Sequence, residues 1–356
     1  MIVVYGRYLE SRLLFTTKSC LLNNEYPRLI VRSLQDRQTD SDERDCIKWL
    51  SKYQTIVLET LSDSELSSLR GDICFVTLRG NYEYIERQKI RLLMRGFSRR
   101  IGLLRFANDS PFWQVKQIFR EIRQPYYSML TELWTEDSHL KLLRAVIRKP
   151  HRYFGVLPHQ RCSAGQEHWN LLSSVAPVGP RPCLFSWAGT HAPQRQRALD
   201  WVETRLLNDK SSIDLYPVSG IHKVIWHNDV MGTSRRRDYT EYLHELESAW
   251  FCLCFPGYTG TTNRVLEALL RCAIPVLKQE QVLFHGLPLH DGINAIIVKD
   301  DNWGEAICRL ARFSDAERLS MQNAVMQLAN SSASLFSISR RLFEDLLGSA
   351  HPVGNG

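Results

Sequence analysis

The 356-residue chain contains no run of the 18 or so apolar residues that a membrane-spanning helix needs. That excludes a helical bilayer anchor. Its opening, MIVVYGRYLESRLLF, lacks the basic start, long apolar stretch and small-residue cleavage site of a signal peptide. The nine cysteines include no C-x-x-C pair, and the one close pair, Cys252 and Cys254, falls two apart in an apolar run, on one face of a strand. They read as reduced thiols, and the expectation is a soluble, cytoplasmic protein. Internal repeats of short period and low-complexity segments are absent as well, which argues against solenoid and disordered architectures.

What is present is an ordinary globular balance, 44% apolar and 23% charged residues with aromatics throughout. The formal charge is +7 and the pI about 8.9. This basic excess suits an anionic ligand, an acidic membrane surface or nucleic acid equally well.

Short β-rich runs alternate with helical patterns: MIVVY at 1–5, RLIVRSL at 28–34, TIVLET at 55–60, ICFVTL at 73–78 and IGLLRF at 101–106. Such alternation predicts a parallel sheet wrapped by helices. An amphipathic helical run is expected over 113–147, followed by the apolar stretch YFGVLP at 153–158. The segment SSVAPVGPRPC, 173–183, concentrates Ser, Pro and Gly and reads as a linker. Beyond it the pattern restarts, with strands expected at 183–189, 211–216, 251–255, 274–277 and 295–300. Helices are expected over 194–207, 239–249 and 303–313, with another between 255 and 274.

The expected fold class is therefore α/β, with two Rossmann-like domains facing across a cleft. An N-terminal domain spans 1–172, a linker 173–183 and a C-terminal domain 184–335, with a helix and tail over 336–356.

One stretch carries chemistry. FCLCFPGYTGTTNRVLEALLRCAIPVL, 251–277, joins two apolar runs through a loop of Pro, Gly and Thr and a helix with Arg and Glu in its opening turns. A strand that ends in such a loop aims backbone N–H groups at one point, which suits an anion. Gly257 shapes the loop, Thr261 and Thr262 offer hydroxyls, and Arg264 brings a fixed positive charge fit for a pyrophosphate. Glu267 falls three residues on, where its carboxylate could accept two ribose hydroxyls. The plainer reading makes Thr261 or Thr262 a helix cap and Arg264 with Glu267 an exposed i,i+3 ion pair worth only about 0.2–0.5 kcal/mol.

The stretch resembles the carboxyl-terminal signature of exostosin-like glycosyltransferases: an apolar strand ending in Pro-x-Gly, a variable loop, an Arg, a Glu-Ala pair and Ile-Pro-Val. The matching residues are Phe251, Cys252, Leu253, Pro256, Gly257, Arg264, Glu267, Ala268, Ile274, Pro275 and Val276. Where the family often has Gly-Cys before Ile-Pro-Val, this chain has Arg271, Cys272 and Ala273. The resemblance extends to LFSWAGTHAPQRQRAL at 184–199 and LPLHDGINAIIVKDDNW at 287–303, and covers roughly residues 150–330.

The resemblance implies a GT-B architecture whose second domain holds a sugar nucleotide, and transfer with inversion at the anomeric carbon. It implies that Arg264 and Glu267 contact the nucleotide, with Gly189 and Arg195 or Arg197 on the opposite lip of the cleft. Arginines and dipoles would neutralise the leaving diphosphate, so neither a metal nor another cofactor is expected. The donor expected is a uridine diphosphate sugar, and the acceptor a saccharide or lipid-linked saccharide in glycan or surface polysaccharide synthesis. A non-catalytic nucleotide-sugar or glycan-binding protein of the same fold is the alternative.

Inverting transfer needs a base for the acceptor hydroxyl, and Asp109, in a loop after a predicted strand, is the candidate, with Glu132, Asp137 and His159 as rivals. Asp40 and Asp42 could mimic a metal-binding pair but precede an amphipathic run, where acids stabilise a helix start. The basic segment 86–105 reads as a solvated face leading into a strand, with peripheral contact to the inner face of an anionic membrane as the minor alternative. No helix-turn-helix, zinc-finger or RNA-binding signature supports a nucleic-acid partner. His222 and His227 lack ligand spacing, and Tyr239, Tyr242 and Trp250 read as the apolar face of a helix and its surroundings.

Overall fold

A computed structural model of the chain describes residues 2–5, 29–32, 54–57, 60–68, 73–76, 92, 101–105, 131–134, 151–153, 170–190, 195–204, 223–229, 238–256, 262, 264–334 and 337–338. The chain divides into two compact units, Met1–Ser163 with Ile338–Gly356, and Ala164–Ser337.

The first unit holds a five-stranded sheet, all of whose pairings are parallel. Its strands are β1 (Ile2–Tyr5), β4 (Ile73–Val76), β5 (Ile101–Arg105), β6 (Thr131–Trp134) and β7 (His151–Tyr153), in the order β1-β4-β5-β6-β7. β2 (Leu29–Arg32) and β3 (Gln54–Val57) form a separate parallel pair, with β2 lying beside β1. Read across, β3-β2-β1-β4-β5-β6 is the strand order of a doubly wound dinucleotide-type fold. Helix α1 (Asp63–Ser68) begins at Ser62, whose hydroxyl accepts the Glu65 amide at 3.3 Å while the Glu65 carboxylate takes the Ser62 amide at 2.7 Å.

The five sequence-predicted strands before residue 110 are all present. The helical run expected over 113–147 is interrupted by β6. Its residues Thr131, Glu132, Leu133 and Trp134 carry no strand alternation of their own and pair with β5 and β7, so sheet pairing overrides the helical pattern expected there.

The second unit is built on the parallel sheet β12-β11-β10-β8-β9. Its strands are β8 (Cys183–Thr190), β9 (Lys223–Asp229), β10 (Ala249–Leu253), β11 (Ile274–Lys278) and β12 (Ile296–Val298). Numbered from its own first strand the order is 2-1-3-4-5, the second common doubly wound arrangement. Every residue of β10 is buried, as a central strand covered on both faces requires, and this is why it reads as a continuous apolar run. β9 was not expected from sequence, because KVIWHND looks polar at one end; as an edge strand it needs only one covered face.

The helices of this unit are α2 (Gln196–Val202), α3 (Tyr239–Glu247), α4 (Arg264–Leu270), α5 (Gln279–His285), α6 (Trp303–Arg312) and α7 (Asp315–Ser331). α6 buries Trp303, Ala306, Ile307, Leu310 and Ala311, a stripe at helical spacing, and starts at Asn302, whose side chain accepts the Glu305 amide. α7 opens on a capping box between Ser314 and Glu317. No described helix is long and apolar enough to cross a membrane.

The Ser/Pro/Gly stretch at 173–183 lies inside the second unit and is tied down along its length. The Ala176 amide donates to Leu270 O at 2.9 Å and the Gly179 amide to Gln322 Oε1 at 3.1 Å. Cys272, held in the left-handed region at φ 51°, turns its thiol to Ala176 O at 2.9 Å. Buried Arg271 donates to the Ser174 carbonyl and, at 2.6 Å, to Glu247. Composition marked the stretch as irregular, but these partners fasten it to the second unit, with Ala176 and Cys183 buried and its prolines on the surface. The segment 336–356 lies outside the described residues except for 337–338, as does the strand expected at 211–216.

Gly304 in α6 sits against the Trp201 indole of α2, where an added Cβ would fall 2.6 Å from Cε2. Helix propensity alone would make Gly304→Ala stabilising by about 1 kcal/mol. Overpacking against a rigid ring costs about 1–3 kcal/mol and should win. Urea unfolding is expected to show a lower midpoint; a raised midpoint would mean that the two helices do not pack this closely.

Candidate functional site

In an open parallel sheet, neighbouring strands whose connections leave in opposite directions form a crevice at their carboxyl ends. Here those strands are β8 and β10, since the chain runs from β8 outward to β9 and then returns to β10. Gly189 is the penultimate residue of β8, and Phe255 and Pro256 follow β10. Arg264, at the start of α4, reaches across this point.

The Arg264 guanidinium is held on three sides. Its Nη2 donates to the Ala188 carbonyl, its Nε donates to Tyr242 Oη at 3.2 Å, and its central carbon lies 4.2 Å from the centroid of the Trp187 ring. Stacking a cation on a buried indole contributes about 2 kcal/mol when both are desolvated. Trp187 is itself fixed by Phe255, edge-on at 4.7 Å, and by Trp226 at 6.2 Å. Nη1 is buried and has no hydrogen-bond partner among the described residues. A buried donor left unmade costs about 1–3 kcal/mol or more when charged, so this nitrogen is where an anion would repay most.

Gly189 makes the approach possible. A Cβ there would lie 2.8 Å from Trp187 Cζ2 and 3.1 Å from Arg264 Nη2. Arg195, buried just ahead of α2, brings a second guanidinium to within 5.3 Å of the same Trp187 ring. Two arginines thus converge on one indole, at the strand ends where the sequence reading looked for an anion. Arg197 is exposed on α2, so of the two arginines proposed there it is Arg195 that meets the cluster.

Glu267 is 3% exposed, which removes the reading of Arg264 and Glu267 as a solvated surface pair. A carboxylate so placed needs donors, and α3 supplies them. The Tyr239 hydroxyl donates to Oε1, and the Tyr242 hydroxyl donates to Oε2 at 2.9 Å. The two charges of α4 therefore meet through the Tyr242 oxygen. Burial pushes the Glu267 carboxyl above the ordinary carboxylate range, while Tyr239, Arg264 and Tyr242 pull it back. The same burial raises both phenols well above their usual value, so they stay protonated donors.

Thr262 is half-buried and its hydroxyl accepts the Arg264 amide at 3.4 Å, a long version of the capping contact. Gly257, Thr261 and the candidate base Asp109 lie outside the described residues, as do Asp137, His159, Asp40, Asp42 and His222. Of the segment 86–105, only residue 92 and β5 are described, and Glu132 is placed on β6. His227, on β9, lies 3.9 Å from Glu245. Cys252 and Cys254 are buried free thiols on one face, with sulfurs 3.9 Å apart. Among the described residues no group of three or more His, Cys, Asp or Glu converges as metal ligands would.

The sequence reading missed Trp187 as the platform and the two tyrosines as ligands of Glu267. A signal existed for the tyrosines: positions 239 and 242 are three apart and share a helical face, and an acid inside an apolar helix must find donors.

A carboxyl raised by burial binds its proton more readily in the native than in the unfolded chain, so its contribution to stability falls as pH rises through the raised value. Glu267→Gln keeps the shape without the charge. Its melting temperature relative to wild type is expected to rise between about pH 5 and pH 8. A difference that stays flat or falls over that range would show that Glu267 is not destabilised by burial.

No family model and no curated protein matches the chain. Solved structures do. An α-glucosyltransferase, in complex with UDP-glucose and DNA containing an abasic site, aligns with 97% of this chain and 98% of its own at a TM-score of 0.56 and 11% identity. A glycosyltransferase from Rickettsia africae ESF-5 aligns with 98% and 99% at 0.52 and 10%. HepE from Anabaena, in complex with UDP and glucose, aligns with 98% and 100% at 0.52 and 8%. At these identities the likeness is one of fold, and the fold of this chain is that of the GT-B glycosyltransferases, two Rossmann-like α/β units.

Proposed function

We propose that the chain is a glycosyltransferase that takes its sugar from a nucleoside diphosphate donor, a UDP-sugar, bound at the carboxyl ends of β8 and β10. The observation that carries this reading is the buried Arg264 guanidinium, whose Nη1 lacks an acceptor at the crevice where doubly wound sheets bind ligands. The GT-B fold supports it, and two proteins of that fold are described with UDP-glucose, or with UDP and glucose, bound.

In this reading Arg264 and Arg195 face the diphosphate, Gly189, Gly257, Thr261 and Thr262 line its approach, and the lone pairs left on Glu267 accept ribose hydroxyls. The acceptor hydroxyl attacks the anomeric carbon from the side opposite the diphosphate. The bond to the diphosphate oxygen breaks with its electron pair, and the configuration inverts. Arginines aimed at the leaving oxygens stabilise the charge that develops there, which is the reason for reading the reaction as metal-independent. Asp109 is the candidate for the base that takes the acceptor's proton.

The resemblance at 251–276 supports reading the enzyme as exostosin-like, with a saccharide or lipid-linked saccharide acceptor in polysaccharide synthesis. On this reading the reaction is cytoplasmic, at the inner membrane face where the acceptor is lipid-linked. The DNA in one neighbour belongs to that protein's complex. A nucleic-acid acceptor here would show as binding that weakens steeply with salt.

The test is calorimetric titration of UDP-glucose with and without EDTA, together with donor hydrolysis. Arg264→Ala is expected to weaken binding about thirtyfold or more, the equivalent of at least about 2 kcal/mol for a buried charged contact. Gly189→Ala, which displaces the same guanidinium, should weaken it as well, and EDTA should change neither. Wild-type protein that binds no nucleotide sugar, or variants that bind as tightly as wild type, would sink the donor-site reading. Binding without any turnover on saccharide acceptors would favour the non-catalytic alternative.

A further inference from the structure

We propose that Tyr242 is a positioning residue of the donor site, its hydroxyl keeping the Arg264 guanidinium aimed and the Glu267 carboxylate ionised. The inference rests on the donor-site reading above and adds a residue that neither the 251–276 signature nor its flanking stretches contain.

A phenol has one proton to give and can accept in return. Tyr242 uses both capacities on the two charged residues of α4: it accepts from Arg264 Nε at 3.2 Å and donates to Glu267 Oε2 at 2.9 Å. The side chain is buried, and its ring lies 5.9 Å from the Arg264 guanidinium. Without that oxygen, Nε would join Nη1 as a buried donor with no acceptor, and the guanidinium would be free to turn on the Trp187 ring.

Tyr239 completes the arrangement from one turn earlier on α3, its ring 5.5 Å from that of Tyr242 and its hydroxyl on the other Glu267 oxygen. The Tyr242 hydroxyl also accepts from Arg264, so it joins the two tasks. Tyr239 acts on the carboxylate, and Tyr242 acts on the carboxylate and the arginine together.

The groups that face Glu267 are Tyr239 and Tyr242 from α3, Arg264 from its own helix, and the buried thiol of Cys254 just after β10, while Cys252 on β10 acts on Arg264 and Tyr242. β11 and α7, which also pack on α4, contribute none of the groups that shift it. Two imidazoles engage other acids, His227 with Glu245 and His244 with Glu247. Each phenol hydrogen bond favours the ionised carboxylate, so removing one raises the pH at which Glu267 takes up a proton.

Tyr242→Phe and Tyr239→Phe keep the rings and remove the hydroxyls. The probe is UDP-glucose, whose diphosphate is esterified at both ends and does not titrate near neutral pH, unlike a terminal phosphate with its ionisation near pH 6. Affinity is measured by calorimetry from about pH 5 to about pH 8, with the melting temperature followed on the same samples.

Tyr242→Phe is expected to weaken binding about tenfold at neutral pH, the effect of losing one hydrogen bond to a charged group. It should also move the low-pH loss of binding to higher pH. Tyr239→Phe should move that loss in the same direction with a smaller change at neutral pH. Unchanged affinity and pH profile in Tyr242→Phe would overturn the proposal. So would a loss of the same factor at every pH, which is what a packing role alone produces. Wild-type protein that fails to bind UDP-glucose would instead remove the donor site itself, and the inference with it.

Discussion

The second unit is organised around one costly object, the guanidinium of Arg264 packed inside the protein. A desolvated cation is tolerated only where fixed dipoles, a π face and hydrogen-bond acceptors replace water. Each neighbour of Arg264 fills one of those roles: the Ala188 carbonyl, the Trp187 ring and the Tyr242 oxygen. Gly189 is small because a Cβ would press on both the ring and the guanidinium. Glu267 offsets the charge through a shared hydroxyl rather than by direct pairing, which leaves one guanidinium nitrogen unspent.

Topology decides where that nitrogen lies. With β8 and β10 adjacent and their connections diverging, the strand ends leave a crevice, and the aromatic cluster of Trp187, Trp226, Phe255 and Trp303 gives it a rigid wall. Rigidity matters because an arginine held in place before an anion arrives stabilises it without the cost of rearranging. Arg271, Cys272 and Gln322 lock the 173–183 stretch onto the end of α4 and onto α7, and Arg271 ties the same point to Glu247 at the end of α3. The turn that departs from the family pattern, Arg271-Cys272, is the one that makes these ties.

The GT-B fold and the donor-site reading meet at the same residues from different directions. Doubly wound sheets gather ligands at the carboxyl ends of their strands, and the unpartnered nitrogen of Arg264 asks for an anion at that end of the second unit's sheet.

The α/β class and most strands were legible in the sequence, since a buried parallel strand is a continuous apolar run whatever surrounds it: FCLCF, IPVL and AIIV each read as strands unaided. Arg264 and Glu267 could be singled out because the signature's spacing is local, and Gly189 because the resemblance extends to 184–199. β6 could not, since four residues without alternation inside a helical pattern become a strand only when β5 and β7 pair with them. The linker reading of 173–183 failed for the same reason: irregular composition is visible in one dimension, but the carbonyls and amides that anchor it come from residues some 90 to 140 positions away. The sequence by itself determined that an arginine and a glutamate open α4. Only the tertiary structure decided that Glu267 and the Nη1 of Arg264 are buried, that Trp187 carries the cation and that two tyrosines hold the acid. Burial and hydrogen-bond partners are properties of what folds back against a residue, and no spacing along the chain contains them.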